Sequence, residues 1–388
     1  MDLATRVSYL GGSALEFLAK AKKLEASGVD VVHFEIGEPD FDTPRNIKEA
    51  AKRALDEGYT HYTPSQGIPE LREAIAEHER DYKGIPVDPS RVVVSPGAKV
   101  MIMFALQVLV NEGDEVIYPD PGYTAYKGLI MLAGGKPVPL ELRAEEGFEV
   151  NAERLESLVT SNTKLIILNS PGNPTGNISR KHELDEIARI ALERNLYVIS
   201  DEVYSRIIYD GEHLTIASIP GMMERTVIVD GFSKTYAMTG WRLGYGIMPE
   251  EMVRPLVRLQ SNSVSCATAF VQKAGVEALR GDQGPVEEMV AEFRRRRDRI
   301  FELLGEIPHV KARKSEGAFY VFLDIRELGM SSREFASYLL EKHGVCLLPG
   351  DLFGERGEGY VRISYATSME NIEKGIERIA RAVREIAG

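Results

Sequence analysis

Through the middle of the chain, short uninterrupted apolar runs alternate with stretches whose apolar residues recur every three or four positions. The runs are RVVVS (91–95), DEVIYP (114–119), KLIILNS (164–170), LYVISDE (196–202) and RTVIVDG (225–231). Between them lie segments of helical spacing such as AKVMIMFALQVLV and RKHELDEIARIALERN. A strand that is apolar at every position, rather than at every second one, is covered on both faces, and the intervening helices supply the cover. The pattern predicts an α/β fold: a three-layer, doubly wound domain with a mostly parallel sheet, whose ligands sit at the carboxyl ends of the strands.

Residues 249 to about 306 read as long helices. The remainder reads strand, helix, strand, strand, helix: GAFYVFLDI, SSREFASYLLEKHG, VCLLPG, GYVRISYA and SMENIEKGIERIARAVREIAG. This predicts a smaller α+β domain that the N-terminal segment joins. The expected division is residues 1–45 as an N-terminal part of the small domain, 46–282 as the large ligand-binding domain, and 283–388 as the small domain itself. There is no internal repeat and no low-complexity tract.

Composition narrows the class. The chain has 388 residues, 44% hydrophobic, 8% aromatic and 27% charged, which fits a soluble globular protein of two or three domains. No apolar run approaches the roughly 20 residues that span a bilayer, and the start, MDLATRVSYLGG, lacks a secretory pattern. The two cysteines, Cys266 and Cys346, have no C-x-x-C spacing, which suits a reducing cytoplasm. The seven histidines are scattered without a metal-binding motif, so no metal is expected. A net charge of −12 argues against nucleic acid. The one basic run, RRRRDR (294–299), sits among acids at helical spacing and reads as a solvated helix face with local ion pairs.

Candidate chemistry gathers where apolar strands end. Lys234 follows RTVIVDG; a lysine partly desolvated there has a lowered pKa and can attack a carbonyl to form a Schiff base, although a lone loop lysine more simply points at water. Asp201 closes LYVIS and opens DEVY. It reads either as a helix N-cap or as a buried carboxylate able to pair with a protonated ring nitrogen, with Tyr204 donating to an oxygen of the same ring. NSPGNPTGN (169–177) is a Pro/Gly turn that brings the Asn173 amide to the same crevice. SPGAK (95–99) joins a strand to an apolar helix, where small residues admit an anion to backbone amides and the helix N-terminus adds partial positive charge. No Walker-type or dinucleotide-binding motif occurs. Arg362, in YVRISYA, shares a strand face with Tyr360 and Ser364. Such an arginine commonly meets solvent, but its planar fork is also the best side chain for gripping a carboxylate.

Together these stretches resemble the class I, fold-type I aminotransferases that use pyridoxal 5′-phosphate (PLP), in particular the aspartate and aromatic members. GFSKTYAMTGWRLG looks like that family's lysine signature, and GEPDFDTP, HYTPSQGIPELREAI, NPTG, DEVY and YVRIS occur in the family's order from about residue 10 onward. The resemblance implies that Lys234 tethers the cofactor and shuttles the substrate proton. It implies that Asp201 holds the ring nitrogen, and that Tyr204 and Asn173 hold the ring oxygen. Ser233, Arg242, Gly97, Ala98 and Lys99 are then expected at the phosphate, and Tyr123 on the ring face. Tyr62 matches a tyrosine reaching the phosphate of the other subunit, which implies a homodimer with shared sites. Arg362, with Gly37 and Asn173 nearby, would take the substrate carboxylate. The implied reaction moves an amino group between an L-amino acid and a 2-oxo acid, with aspartate and 2-oxoglutarate first and aromatic or broad specificity next. Rival expectations are a PLP carbon–sulfur lyase or cyclising synthase on the same scaffold. An aminotransferase-like regulator is disfavoured by the acidic chain and by a resemblance that starts near residue 10.

Overall fold

The computed structural model describes residues 4–10 and 14–388. A two-residue strand, β1 (Val32–His33), comes first. Seven strands follow: β2 (Val92–Ser95), β3 (Glu115–Asp120), β4 (Lys136–Glu141), β5 (Thr163–Asn169), β6 (Tyr197–Asp201), β7 (Thr226–Gly231) and β8 (Gly244–Ile247). They form one sheet in the order β2-β8-β7-β6-β5-β3-β4. Pairings among β4, β3, β5, β6 and β7 are parallel, while β8 runs antiparallel to both β7 and β2. The three-layer, mostly parallel architecture expected from the apolar runs is the one the chain adopts.

Cover on both faces is visible residue by residue. Val93, Leu165, Ile167, Ile199 and Val227 pack beneath helices Ala98–Leu109 and Glu250–Ser263. The alternate positions Val92, Val94, Ile228 and Ile247 face helices Arg45–Asp56, Pro69–Lys83 and Ala269–Arg280. Each such fully buried aliphatic side chain contributes about 1.5–3 kcal/mol of transfer free energy. That is why a run without polar interruptions marks a central strand.

Two strands of this seven-stranded sheet escaped the sequence pattern for physical reasons. β4, KPVPLE, carries Pro137 and Pro139, which cannot donate to a ladder; it lies at the sheet edge, paired only with β3. β8, GYGI, has two glycines in four residues and no apolar run, yet it sits between β7 and β2. The glycines are required by crowding: a Cβ on Gly246 would lie 2.7 Å from the Met101 side chain, and one on Gly244 would lie 2.4 Å from the Ala98 nitrogen.

The C-terminal part builds a second, antiparallel sheet from β9 (Lys311–Ala312), β10 (Tyr320–Asp324), β12 (Leu348–Pro349) and β13 (Tyr360–Ser364), with β11 (Val345–Cys346) beside it. β1 pairs in parallel with β11, and the Ser364 amide donates to the Phe34 carbonyl at 2.9 Å. The first and last portions of the chain are thereby tied together.

The basic run on helix Gly284–Gly305 corrects its expected reading. Arg294 and Arg295 are exposed, but Arg296 and Arg297 are 6% and 2% exposed. Arg296 reaches Asp40 at 2.6 Å and Glu292 at 2.9 Å, and Arg297 is held by Asp210, Asp298 and the Ser315 carbonyl. Buried cations persist only when paired, so half of this run is internal scaffolding rather than solvated face.

The crowding at β8 is testable. Gly244→Ala is expected to cost about 1–3 kcal/mol by overpacking the turn at Gly97 and Ala98, read as a lower urea midpoint. An unchanged midpoint would mean that this turn retreats freely from the sheet.

Candidate active site

A cavity of about 650 Å³ opens where β5, β6 and β7 end, between the large sheet and strands β10 and β13. Three consecutive parallel strands deliver their last residues to it. β5 ends at Asn169, β6 at Asp201, and β7 at Gly231, from which a single helical turn, Phe232–Thr235, carries Lys234 into the cavity.

The half-buried Lys234 donates from Nζ to the Gly37 carbonyl at 2.5 Å. Burial lowers its pKa to about 8; Glu38 opposes the shift, whereas Arg362, Arg242 and Lys99 reinforce it. A fraction of the amine is therefore unprotonated at neutral pH, the form that acts as nucleophile or base.

Asp201 is 3% exposed and has no cationic partner among the described residues. The Tyr126 hydroxyl donates to its Oδ2 at 2.6 Å, and the Val203 amide reaches Oδ1 at 3.4 Å. The chain after DEVY makes turns rather than a helix, so the N-cap alternative does not hold. Burial pushes this carboxyl up to about 7, against the pull of the Tyr126 bond and with a further rise from Asp230 and Glu202.

Beside it the Tyr204 and Tyr320 hydroxyls share a hydrogen bond of 2.6 Å, and burial raises both phenols. Arg362 is 5% exposed, which excludes the solvent-facing alternative. Its guanidinium lies 4.5 Å from the Tyr320 ring centroid and 5.1 Å from that of Phe353. One arm donates to the Asn173 Oδ1 at 3.3 Å and the other to the Glu35 carbonyl at 2.6 Å, leaving Nε without a partner.

The opposite end is cationic and glycine-lined. Gly97 (φ 95°) precedes helix Ala98–Leu109, whose first amides have no intrahelical acceptor. A Cβ on Gly97 would stand 2.5 Å from Arg242 Nη2, so only glycine lets the arginine lie against this turn. Arg242, itself at φ 54°, is oriented by a bond from Nη1 to the Thr239 carbonyl at 2.8 Å. Ser233, Ala98 and Lys99 line the same end, with the Lys99 ammonium 5.7 Å from the Tyr123 ring.

The cavity thus brings together Gly37, Ala98, Lys99, Tyr123, Asn173, Asp201, Tyr204, Ser233, Lys234, Arg242 and Arg362, with Gly97 against Arg242. Tyr62 is the exception: it is 88% exposed and does not line the cavity of its own chain. Sequence reasoning missed Tyr126, Tyr320 and Phe353. Tyr126 left a signal, standing three residues after Tyr123 in GYTAYKG; Tyr320 and Phe353 carried none beyond apolar patterning.

Known proteins resemble this chain along nearly its whole length. The family model for aminotransferase class I and II matches residues 29–379. An aspartate aminotransferase of Pyrococcus abyssi is 45% identical over 391 residues, 99% of each chain. An aromatic-amino-acid aminotransferase of Thermococcus litoralis is 44% identical, covering 93% of this chain and 94% of that one. The solved aspartate aminotransferase from Thermus thermophilus with maleate superposes with a TM-score of 0.94 at 40% identity, covering 98% of this chain and 99% of that one. The chain belongs to the aminotransferase class I and II family and is a transferase whose cofactor is PLP.

The Asp201 environment predicts a pH signature in cofactor-free protein. Because its folded pKa is raised above the ordinary value of 3.8 to about 7, ionising it opposes folding increasingly between about pH 4 and 7, and fully above that range. Asp201→Asn is therefore expected to gain roughly 2–3 kcal/mol more at pH 8 than at pH 5. Denaturant unfolding at both pH values measures this; an equal effect at the two would refute the buried, unpaired carboxylate.

Proposed function

We propose that the protein transfers the amino group of L-aspartate to 2-oxoglutarate at this cavity. The observation that carries the reading is the polarity of the pocket. A buried acid without a cation, Asp201, closes one end; the arginines Arg242 and Arg362 occupy others; and the weakly basic Lys234 stands between them.

The residues present suit PLP. Asp201 lacks the positive partner that a buried carboxylate requires, and a protonated ring nitrogen supplies one. Gly97, Ala98, Lys99, Ser233 and Arg242 form a cationic, amide-rich cradle for its phosphate. In this reading Lys234 is the covalent tether, Tyr204 and Asn173 meet the ring oxygen, and Tyr123 covers the ring face. When bound, PLP withdraws the electron pair left at the substrate Cα.

The chain's own residues do the rest. Arg362 binds the substrate α-carboxylate, its arms already oriented by Asn173 and the Glu35 carbonyl, with the Gly37 backbone beside it. This fixes Cα against Lys234, whose neutral amine takes the Cα proton and later returns it. The low pKa of Lys234 supports that role, since a fully charged ammonium could not accept a proton.

Aspartate is preferred because Lys99 adds an exposed cation at the pocket rim, suited to a second carboxylate, and because similar chains are named aspartate aminotransferases. The aromatic alternative has an observation of its own: Tyr123, Tyr320 and Phe353, with Leu18, Ile36 and Leu348, also line the cavity.

The exposed Tyr62 supports a homodimer in which that tyrosine reaches the phosphate cradle of a second copy. The pairing of β1 with β11 supports the grouping of residues 1–45 with 283–388, apart from 46–282. Among the described residues no helix is long and apolar enough to cross a membrane, and the free Cys266 and Cys346 support a reducing, cytoplasmic setting.

Holoprotein given L-glutamate without any oxo acid should lose its visible cofactor band and yield one 2-oxoglutarate per site. A band that persists with every amino acid donor refutes transamination and favours a lyase. Lys234→Ala should abolish turnover, and Arg362→Ala should raise KM for every donor, not for one alone. Lys99→Met separates the substrate readings: kcat/KM for aspartate should fall about tenfold or more beyond any loss for phenylalanine, which corresponds to roughly 1.4 kcal/mol or more of charge pairing. Equal loss for both donors would assign Lys99 to the cofactor alone.

A further inference from the structure

Directly behind Asp201, on the far side of the strand ends, lies a buried ionic cluster that the reaction above does not use. Lys83, the last residue of helix Pro69–Lys83, places its ammonium 2.9 Å from Glu202 Oε2, 2.9 Å from Asp230 Oδ2 and 3.1 Å from Glu79 Oε1, and all four side chains are at most 4% exposed. His213 adds a 2.9 Å contact to the same Glu202 oxygen. The other Glu202 oxygen accepts from Ser200 and Thr215, both at 2.7 Å. Ser205 donates to Asp230 at 2.9 Å and Tyr245 to Glu79 at 2.8 Å.

Three carboxylates here share one ammonium and one imidazole. Burying ions is costly, and burying surplus acid more so. If the cluster served only to pack these elements together, a balanced pair would do so at less cost. The surplus stands next to the pocket: Glu202 follows Asp201 in the chain, and Asp230 lies beside Glu202 on the neighbouring strand, whose Val229 carbonyl accepts from the Glu202 amide at 2.8 Å. Burial works against ionisation of Glu202, but Lys83 and His213 hold its pKa below the usual carboxylate range. Its negative charge is therefore fixed in place, directed by four partners.

We propose that Glu202 is a positioning residue for the cofactor: its carboxylate, fixed by Lys83 and His213 behind the end of β6, favours positive charge on the pocket side of Asp201 and so keeps the ring nitrogen of the bound cofactor protonated. The proposal rests on the reading in which Asp201 meets that nitrogen. It extends electrostatic control of the ring beyond the residues that touch it. The effect acts on one atom of the ligand, which distinguishes it from general support of the fold.

The test uses that distinction. Full-length protein and its Glu202→Gln variant are stripped of cofactor, then titrated with PLP and with the PLP analogue whose ring nitrogen is replaced by C–H; affinity is read from the visible band. The unsubstituted protein is expected to prefer PLP. In Glu202→Gln the ratio of the two affinities should fall about tenfold, the scale on which a nearby charge shifts a pKa by one unit or more. If both affinities drop by the same factor, Glu202 supports only the fold and the proposal is overturned. If the unsubstituted protein binds both ligands equally, the pairing of Asp201 with the ring nitrogen is itself wrong, and the proposal falls with it. Asp230→Asn, which removes one of the three acids that hold the Lys83 ammonium, should move the ratio in the same direction and serves if Glu202→Gln does not fold.

Discussion

The site is organised around a carboxylate taken out of water without a countercharge. An ionised aspartate buried alone is among the most costly things a fold can contain, and Asp201 avoids that state by rising toward neutrality. Other features arrange themselves around this imbalance. Tyr126 reaches across from its helix to give the carboxylate one hydrogen bond. The arginines and the amine lie farther along the cavity, and no described basic side chain pairs with Asp201. A cavity polarised in this way selects a ligand with a basic ring atom at one end and an anion at the other before any detailed shape is considered.

A second constraint governs the Arg362 end of the cavity. Arg362 belongs to β13 in the C-terminal sheet, yet its arms are held by Asn173, from the turn after β5, and by the Glu35 carbonyl just after β1. One guanidinium thus reads the relative placement of three separately built parts of the chain. A carboxylate bound there inherits that registration, because a bidentate grip tolerates little rotation.

Much of this was legible in the sequence because the chemistry sits on the strongest structural signals. Lys234, Asp201 and Asn173 each stand at or just past the end of an apolar run, and such runs announce central parallel strands through burial alone. What stayed hidden lacked that coupling. β8 is built from glycines selected by close contact with Met101 and the turn at Ala98, a constraint that exists only in three dimensions. Tyr320 looks like any core aromatic in AFYVFLD until β10 is folded against the large sheet and its hydroxyl meets that of Tyr204. The run RRRRDR misled because charge pattern reveals an ion-pairing helix but not which of its faces is turned inward, and Asp40 and Asp210 come from remote loops. Tyr62 was singled out only by resemblance; it is exposed and does not line the cavity of its own chain.

The parallel pairing of β1 with β11 has a consequence for how the molecule is made. Val32 emerges early from the ribosome, and its ladder partner Val345 emerges near the finish. At roughly 5–20 residues per second, the early strand waits on the order of tens of seconds for its mate. During that interval Val32 and Phe34, fully enclosed in the finished protein, have no permanent cover. The large sheet, by contrast, can assemble from neighbouring segments as they appear. Maturation of the nascent chain is therefore staged: the floor of the pocket can form during translation, while the strand that carries Arg362 and the N-terminal backbone that orients it meet only at the end. The ends of β5, β6 and β7 can thus be in place before Arg362 meets the Glu35 carbonyl that orients it.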